Sequence, residues 1–320
     1  MTAIIDRIER ELGVPGIATL LAERLEPADL QSLLLEVYRR LAARRPATSV
    51  LSDYTSNRFV HPSRIRPTQF LEWDRVAFAM LPTEFEALEL SPVCPLGTAS
   101  VLAELAQDWS LSTIRNTEVV SDSTNVLALE ATLRRRALKR DDPRSATPVN
   151  LAASHRLLRT KNYDDPRLSS HFRVFSLVGA GRDKGGFQFE TEMMGRHIEF
   201  YIRAIRAFVS ESAALGVWLT ALETNATSAL DLLADRIRRE FANVEVALDP
   251  DRTAARNYYR GMCFGITRPS TTGEQRHLVD GGRVDWTQRL LGDAKERLVI
   301  SGVGSDRVCD MRTELNSSEV

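Results

Sequence analysis

Long apolar runs are missing from this chain of 320 residues. None approaches the roughly 20 residues that span a bilayer, so no membrane partner is expected. Cysteine is scarce: Cys94, Cys263 and Cys309 are far apart and odd in number. That excludes a disulfide framework and reads as buried or incidental thiols in a reducing cytoplasm. The few scattered histidines give no zinc spacing, so no metal site is expected. Neither sign of charge dominates, and a formal net charge of −1 excludes an overall basic field for nucleic acid or anionic lipid. The opening "MTAIIDRIERELG" carries charges through its first turns and lacks the apolar segment of a signal peptide. What is present, 43% hydrophobic and 27% charged residues, fits a globular protein with one large domain or a domain with an appendage.

The pattern predicts amphipathic helices over 3–12 and 28–44, around "LGVPG". In the second, Leu30, Leu33, Leu34, Val37, Tyr38 and Leu41 share one stripe. That stripe caps the main domain or docks a partner protein's helix. Residues 1–50 are thus read as an N-terminal helical segment and 51–320 as the main domain. A helix and a short strand closed by Pro92 follow, then a strand at 113–120 and a helix started by Asp122 or Thr124. Residues 141–148 are a turn-rich connector. Residues 172–181 and 187–194 alternate as a hairpin would, followed by a helix over about 195–213. Strands are also predicted at 244–249, 260–267 and 296–304. Helices and strands alternate too irregularly for a doubly wound fold. The expected class is α+β, an antiparallel sheet flanked by helices.

Two glycine clusters near the end, Gly281-Gly282 and Gly302-Val303-Gly304, let backbone approach a ligand or a neighbouring strand. The first reads as a Gly-Gly-Arg turn. Neither is followed by Gly-Lys-Ser/Thr, and neither has the third glycine of a dinucleotide fingerprint. Close packing of strand and helix explains them as well as a ligand does. Beside each stands an arginine, Arg283 and Arg307. Guanidinium forks suit phosphate oxygens and stack on planar bases, although each alone is equally a surface ion-pair residue.

Taken in order, these pieces resemble the catalytic core of class II aminoacyl-tRNA synthetases, in the histidyl-tRNA synthetase branch. "FEALELSPV" (85–93) is similar to the first class motif, usually at a dimer interface. "EVVSDSTNVLALEATLRR" (118–135) resembles the stretch whose acid and threonine hold the amino group, a role that falls to Asp122 and Thr124. "HRLLRTKNYDDPRLSSHFRVFSLVGAG" (155–181) resembles the second motif, by which Arg159 would contact the α-phosphate of ATP and Phe172 would stack on adenine. "RNYYRGMCFGI" (256–266) is similar to the family's tyrosine box, with Tyr258 and Tyr259 as substrate contacts. "GGRVD" (281–285) adds Gly281, Gly282 and Arg283 to the substrate set, and "GVGSDRV" (302–308) looks like the third motif, with Gly302, Gly304 and Arg307 on the nucleotide.

The resemblance therefore implies ATP and Mg²⁺ as cofactors, an amino acid or similar carboxylate as partner, a homodimer, and acyl-adenylate formation with Arg159 and Arg307 as the catalytic pair. Departures limit it. Lys161 stands where the second motif has an acid, and Ala254-Ala255 where the histidine box has Arg-Gly, so histidine is a poor substrate candidate. About a dozen residues follow Arg307, so no anticodon-binding domain is expected and tRNA charging is not implied. Two further readings stand beside the ligase: a catalytically silent regulatory paralogue resembling the ATP phosphoribosyltransferase regulatory subunit, and a dimeric scaffold. Outside these motifs, Arg134-Arg135-Arg136 reads as a solvated helix face, and His155 and His171 as satisfied, partly buried imidazoles.

Overall fold

The computed structural model describes residues 2–161, 169–269 and 275–318. Helices α1 (Thr2–Leu12), α2 (Ile17–Glu23), α3 (Pro27–Ala43) and α4 (Ala47–Ser56) come first, then α5 (Pro67–Met80). Short strands β1 (Glu86–Ala87), β2 (Val93–Pro95) and β3 (Thr117–Val119) lead to α6 (Ser123–Asp141), β4 (Val149–Leu158) and β5 (His171–Arg182). Next are α7 (Gln188–Phe208), β6 (Leu215–Ala221), α8 (Thr227–Glu240), β7 (Val244–Leu248) and β8 (Met262–Pro269). The described chain closes with β9 (Gln275–Val284), α9 (Trp286–Leu291), β10 (Glu296–Gly304) and α10 (Ser305–Ser318).

Eight strands form one sheet in the order β1-β4-β5-β10-β9-β8-β6-β7. Its middle is antiparallel, while β1 runs parallel to β4 and β7 parallel to β6 at the two edges. Because side chains alternate across a strand, each strand feeds two layers. One face buries Phe175, Leu177, Val299, Val303, Phe264 and Ile266 against α5, α7, α8 and α10. The other buries Leu151, Ala153, Val178, Ala180, Leu298 and Ile300 beneath α6 and α9. This second face carries the candidate site.

Helix α6 shows how local sequence sets that face. Asp122 Oδ1 accepts the backbone N–H of Thr124 (2.9 Å), an N-cap that satisfies one of the helix's open donors. Leu127, Ala128, Ala131 and Arg135 then recur at helical spacing and are buried, and Pro143 ends the run. Arg135 departs from the solvated face expected of the arginine run. It is fully buried, with Nε and Nη2 donating to both carboxylate oxygens of Glu296 at 2.9 and 2.8 Å. Arg134, by contrast, reaches Glu86 and Glu130 at the surface.

Four other expectations need correction. Residues 187–194 are the start of α7, not the second arm of a hairpin. The alternation of Phe187 and Phe189 covers too few residues to decide, whereas Met194, Ile198, Tyr201, Ile202 and Ile205 continue at helical period. Gly281-Gly282-Arg283 lies inside β9, the glycines paired on both sides and Arg283 with β10, and makes no turn. The apolar stripe of α3 does not cap the domain: no residue of α3 is buried, and Leu33, Val37, Tyr38 and Leu41 are exposed. His171 is satisfied by Arg156 and the His61 carbonyl, but the buried His155 Nε2 has no partner among the described residues. All three cysteines are buried and free.

Candidate functional site

The start of α6 and the ends of β4 and β5 bring the first group together. Asp122 is its centre. Oδ1 also accepts the Thr124 hydroxyl proton (2.8 Å), while Oδ2 accepts from the Tyr258 hydroxyl (3.2 Å) and lies 3.5 Å from Arg159 Nη2. Thr124's proton is thus committed to Asp122, which leaves its oxygen as an acceptor. Arg159 extends the β4–β5 ladder, its N–H donating to Ser170 O. Its Nε donates to Ser121 O at 2.8 Å, and the guanidinium lies over the Phe172 ring, 5.2 Å from the centroid. The rest of the second-motif loop, 162–168, lies outside the described residues. Lys161 Nζ, at its start, sits 4.7 Å from the Trp109 ring centroid.

The third motif joins the same face. Gly304 registers with Val174, and Gly302 with Ser176. Val174 and Ser176 alternate with Phe172, so all three share a face. A Cβ on Gly304 would lie 3.3 Å from Arg307 Cδ, and one on Gly302 would lie 2.9 Å from Val174 Cγ1. The missing side chain at 304 lets Arg307, in the first turn of α10, fold back across β10, where Nη1 donates to His277 O at 2.7 Å. Arg159, at the end of β4, and Arg307, which follows β10 and reaches β9, therefore sit on one face at one end of the sheet, two to three strand spacings or about 10–14 Å apart.

Tyr258 packs edge-on against both Tyr259 and Trp286. Burial, then the neighbouring Asp122 carboxylate, pushes the Tyr258 hydroxyl well above its ordinary pKa. Burial does the same to Tyr259. Both stay neutral donors.

Gly281, Gly282 and Arg283 do not join this group as ligand contacts. A Cβ on Gly281 would lie 2.5 Å from the Phe264 ring on the helical face, and one on Gly282 would lie 2.8 Å from the Tyr259 ring. The two glycines make room for protein rings, one on each side of the sheet. Arg283 points to the helical face, where Nε lies 3.4 Å from the buried Glu190 carboxylate. The pleat that turns Gly282 toward the site turns Arg283 away from it.

The structure adds groups that the sequence did not single out. Ser123 and Ser176 hydroxyls hydrogen-bond at 2.7 Å, tying α6 to the sheet beside Gly302. Arg252, in the loop after β7, donates to Asp280 Oδ1 at 2.6 Å and lies over the Tyr259 ring. No motif marked Arg252; Asp280 stands next to Gly281, which was the only signal. Among the described residues no three His, Cys, Asp or Glu side chains converge to hold a metal ion.

Solved structures of known proteins share this architecture. An ATP phosphoribosyltransferase regulatory subunit/histidyl-tRNA synthetase from Bacillus halodurans superposes with a TM-score of 0.59 at 14% identity, covering 79% of this chain and 82% of that one. Apo histidyl-tRNA synthetase from S. aureus gives 0.58 at 11% identity, over 79% and 69% of the two chains. A histidine–tRNA ligase subunit from Alicyclobacillus acidocaldarius gives 0.57 at 12%, over 81% and 97%. The fold is that of the class II aminoacyl-tRNA synthetase core. At such identities the likeness establishes the synthetase fold and leaves activity to the residues of the site. No family model matches the sequence, and no curated protein matches it. No helix among the described residues is long and apolar enough to cross a membrane.

Proposed function

We propose that this face binds ATP and an amino acid or similar small carboxylate and joins them as an acyl-adenylate. One observation carries the reading: Arg159 over Phe172, and Arg307 folded across Gly304, share a face with the Asp122 carboxylate that caps α6. Adenine would lie against Phe172, with Arg307 over the nucleotide. A substrate ammonium would pair with Asp122 and hydrogen-bond to the Thr124 oxygen. A carboxylate oxygen then attacks the α-phosphorus in line as the bond to pyrophosphate breaks. The attacking group is already ionised, so the protein's task is to hold prepositioned cations where charge gathers. Arg159 meets that need because Ser121 O and Phe172 fix its guanidinium before any ligand arrives. Magnesium, which the resemblance implies, finds no protein carboxylate cluster among the described residues, and no step is assigned to it.

A silent regulatory role is the second reading. It is favoured by Lys161, which lies over Trp109 where the motif's acid would orient ATP, and by Ala254 in place of an arginine. The homodimer, with residues 85–93 at its interface, and a protein partner on the exposed stripe of α3 belong to the same proposal.

Pyrophosphate exchange with a panel of amino acids separates the readings. Exchange with at least one acid supports adenylation. Measurable ATP binding without exchange favours the regulatory role. Arg307→Ala should weaken ATP binding at least tenfold by calorimetry, and an unchanged affinity would remove the nucleotide assignment.

A further inference from the structure

One polar pair on the site face has no part in holding the nucleotide. Arg252 is almost fully buried, at 8% exposure. Its Nε donates to Ala254 O at 2.9 Å and Nη2 to Asp280 Oδ1 at 2.6 Å. Nη1 has no partner among the described residues. It lies 3.5 Å from the position a Cβ would take on Gly265, so it occupies the space over that glycine on the site face.

Asp280 registers with Gly265 on one side and Gly302 on the other, and its side chain is 43% exposed. Next along the sheet is Ser176, bonded to Ser123, the residue after Asp122. The pair and the start of α6 therefore stand at one level of the sheet, two strand spacings or about 10 Å apart. An extended amino acid held at Asp122 by its ammonium would direct its side group toward Arg252 and Asp280.

That part of the face offers a donor beside an acceptor, with charges that cancel. We infer that Arg252 and Asp280 together read the side group of the substrate and select a neutral group that accepts and donates side by side, a primary carboxamide being the simplest. A second carboxylate would face Asp280, and a second ammonium would face Arg252. An apolar side group would strip water from both and replace none of the lost hydrogen bonds. Sites built on such bonds reject analogues that lack them. The inference rests on the reading that this face holds an amino acid, and it names the class.

The test is calorimetric binding of asparagine, aspartate, glutamine, glutamate and leucine to the full chain, with and without ATP. Asparagine or glutamine should bind at least tenfold more tightly than its isosteric acid and than leucine. Asp280→Asn makes the pair net positive and should move the preference toward the acid, with circular dichroism checking the fold. Equal affinities for amide and acid in the unaltered protein overturn the inference, as does no binding of any of the five. A preference unchanged in folded Asp280→Asn also overturns it. Amide selectivity without nucleotide affinity supports it and counts against adenylation instead.

Discussion

Asp122 caps helix α6, and strand β10 carries Gly302 and Gly304 and leads into Arg307 of α10, so the site depends on what ties α6 to β10. The strongest tie is Arg135–Glu296. Both side chains have no exposure, and the guanidinium meets the carboxylate with two parallel bonds of 2.9 and 2.8 Å. Its remaining donors close on Thr147 O (2.6 Å) and Ser145 O (2.9 Å). Arg135→Met removes the cation and leaves Glu296 buried, with Lys139 at 3.5 Å its one other cation partner among the described residues. Breaking one half of such a pair costs about 3–5 kcal/mol. At roughly 2 °C per kcal/mol for a chain of this size, the melting temperature should fall by about 6–10 °C. The double variant Arg135→Met/Glu296→Met removes both charges. It leaves only the two carbonyls without donors, at about 1 kcal/mol each, and should return to within about 2 kcal/mol of the unaltered protein. Urea unfolding of the three proteins reads both numbers. A single variant that loses under about 1 kcal/mol, or a double no more stable than the single, would refute this account of a buried, compensated pair.

Two further outcomes follow from other parts of the sheet. His197 is fully buried against Ser301 Oγ, and burial lowers its pKa to about 3. The unfolded chain binds that proton near pH 6.5 and the folded chain does not, so stability falls as pH drops below about 6.5. Between pH 6.5 and 5 the loss is about 2 kcal/mol, and His197→Gln should flatten that part of the stability–pH curve in urea titrations. Gly281→Ala places a Cβ 2.5 Å from the Phe264 ring and 2.6 Å from Ser301 Cβ. It should cost about 1–3 kcal/mol of stability with no ligand present. A stable variant that had lost only ligand affinity would show that this glycine serves a ligand after all.

The elements with long, one-sided patterns were legible beforehand. Helix α6 declared an N-cap at Asp122 or Thr124, β5 declared itself by its alternation and β10 as a short apolar run, and the order of motifs pointed to the class II architecture that the solved structures share. The N-terminus of α7 was misread because a few alternating residues satisfy both periods. The burial of Arg135 was invisible because a helical arginine run looks alike whether or not a glutamate lies 161 residues away. Arg252 carried no local signal at all, since its partner Asp280 is 28 residues distant.

Sequence alone determined which residue types were available and where the backbone could come close: the glycines of β9 and β10, the acid at the head of α6 and the arginine after Gly304. Tertiary structure decided which way each of them points. Successive residues of a strand face opposite sides of the sheet, so Gly282 lies under Tyr259 while its neighbour Arg283 reaches Glu190 behind it. Arg159 and Arg307 share one face only because β4, β5, β10 and β9 are laid side by side in an order that differs from their order in the chain.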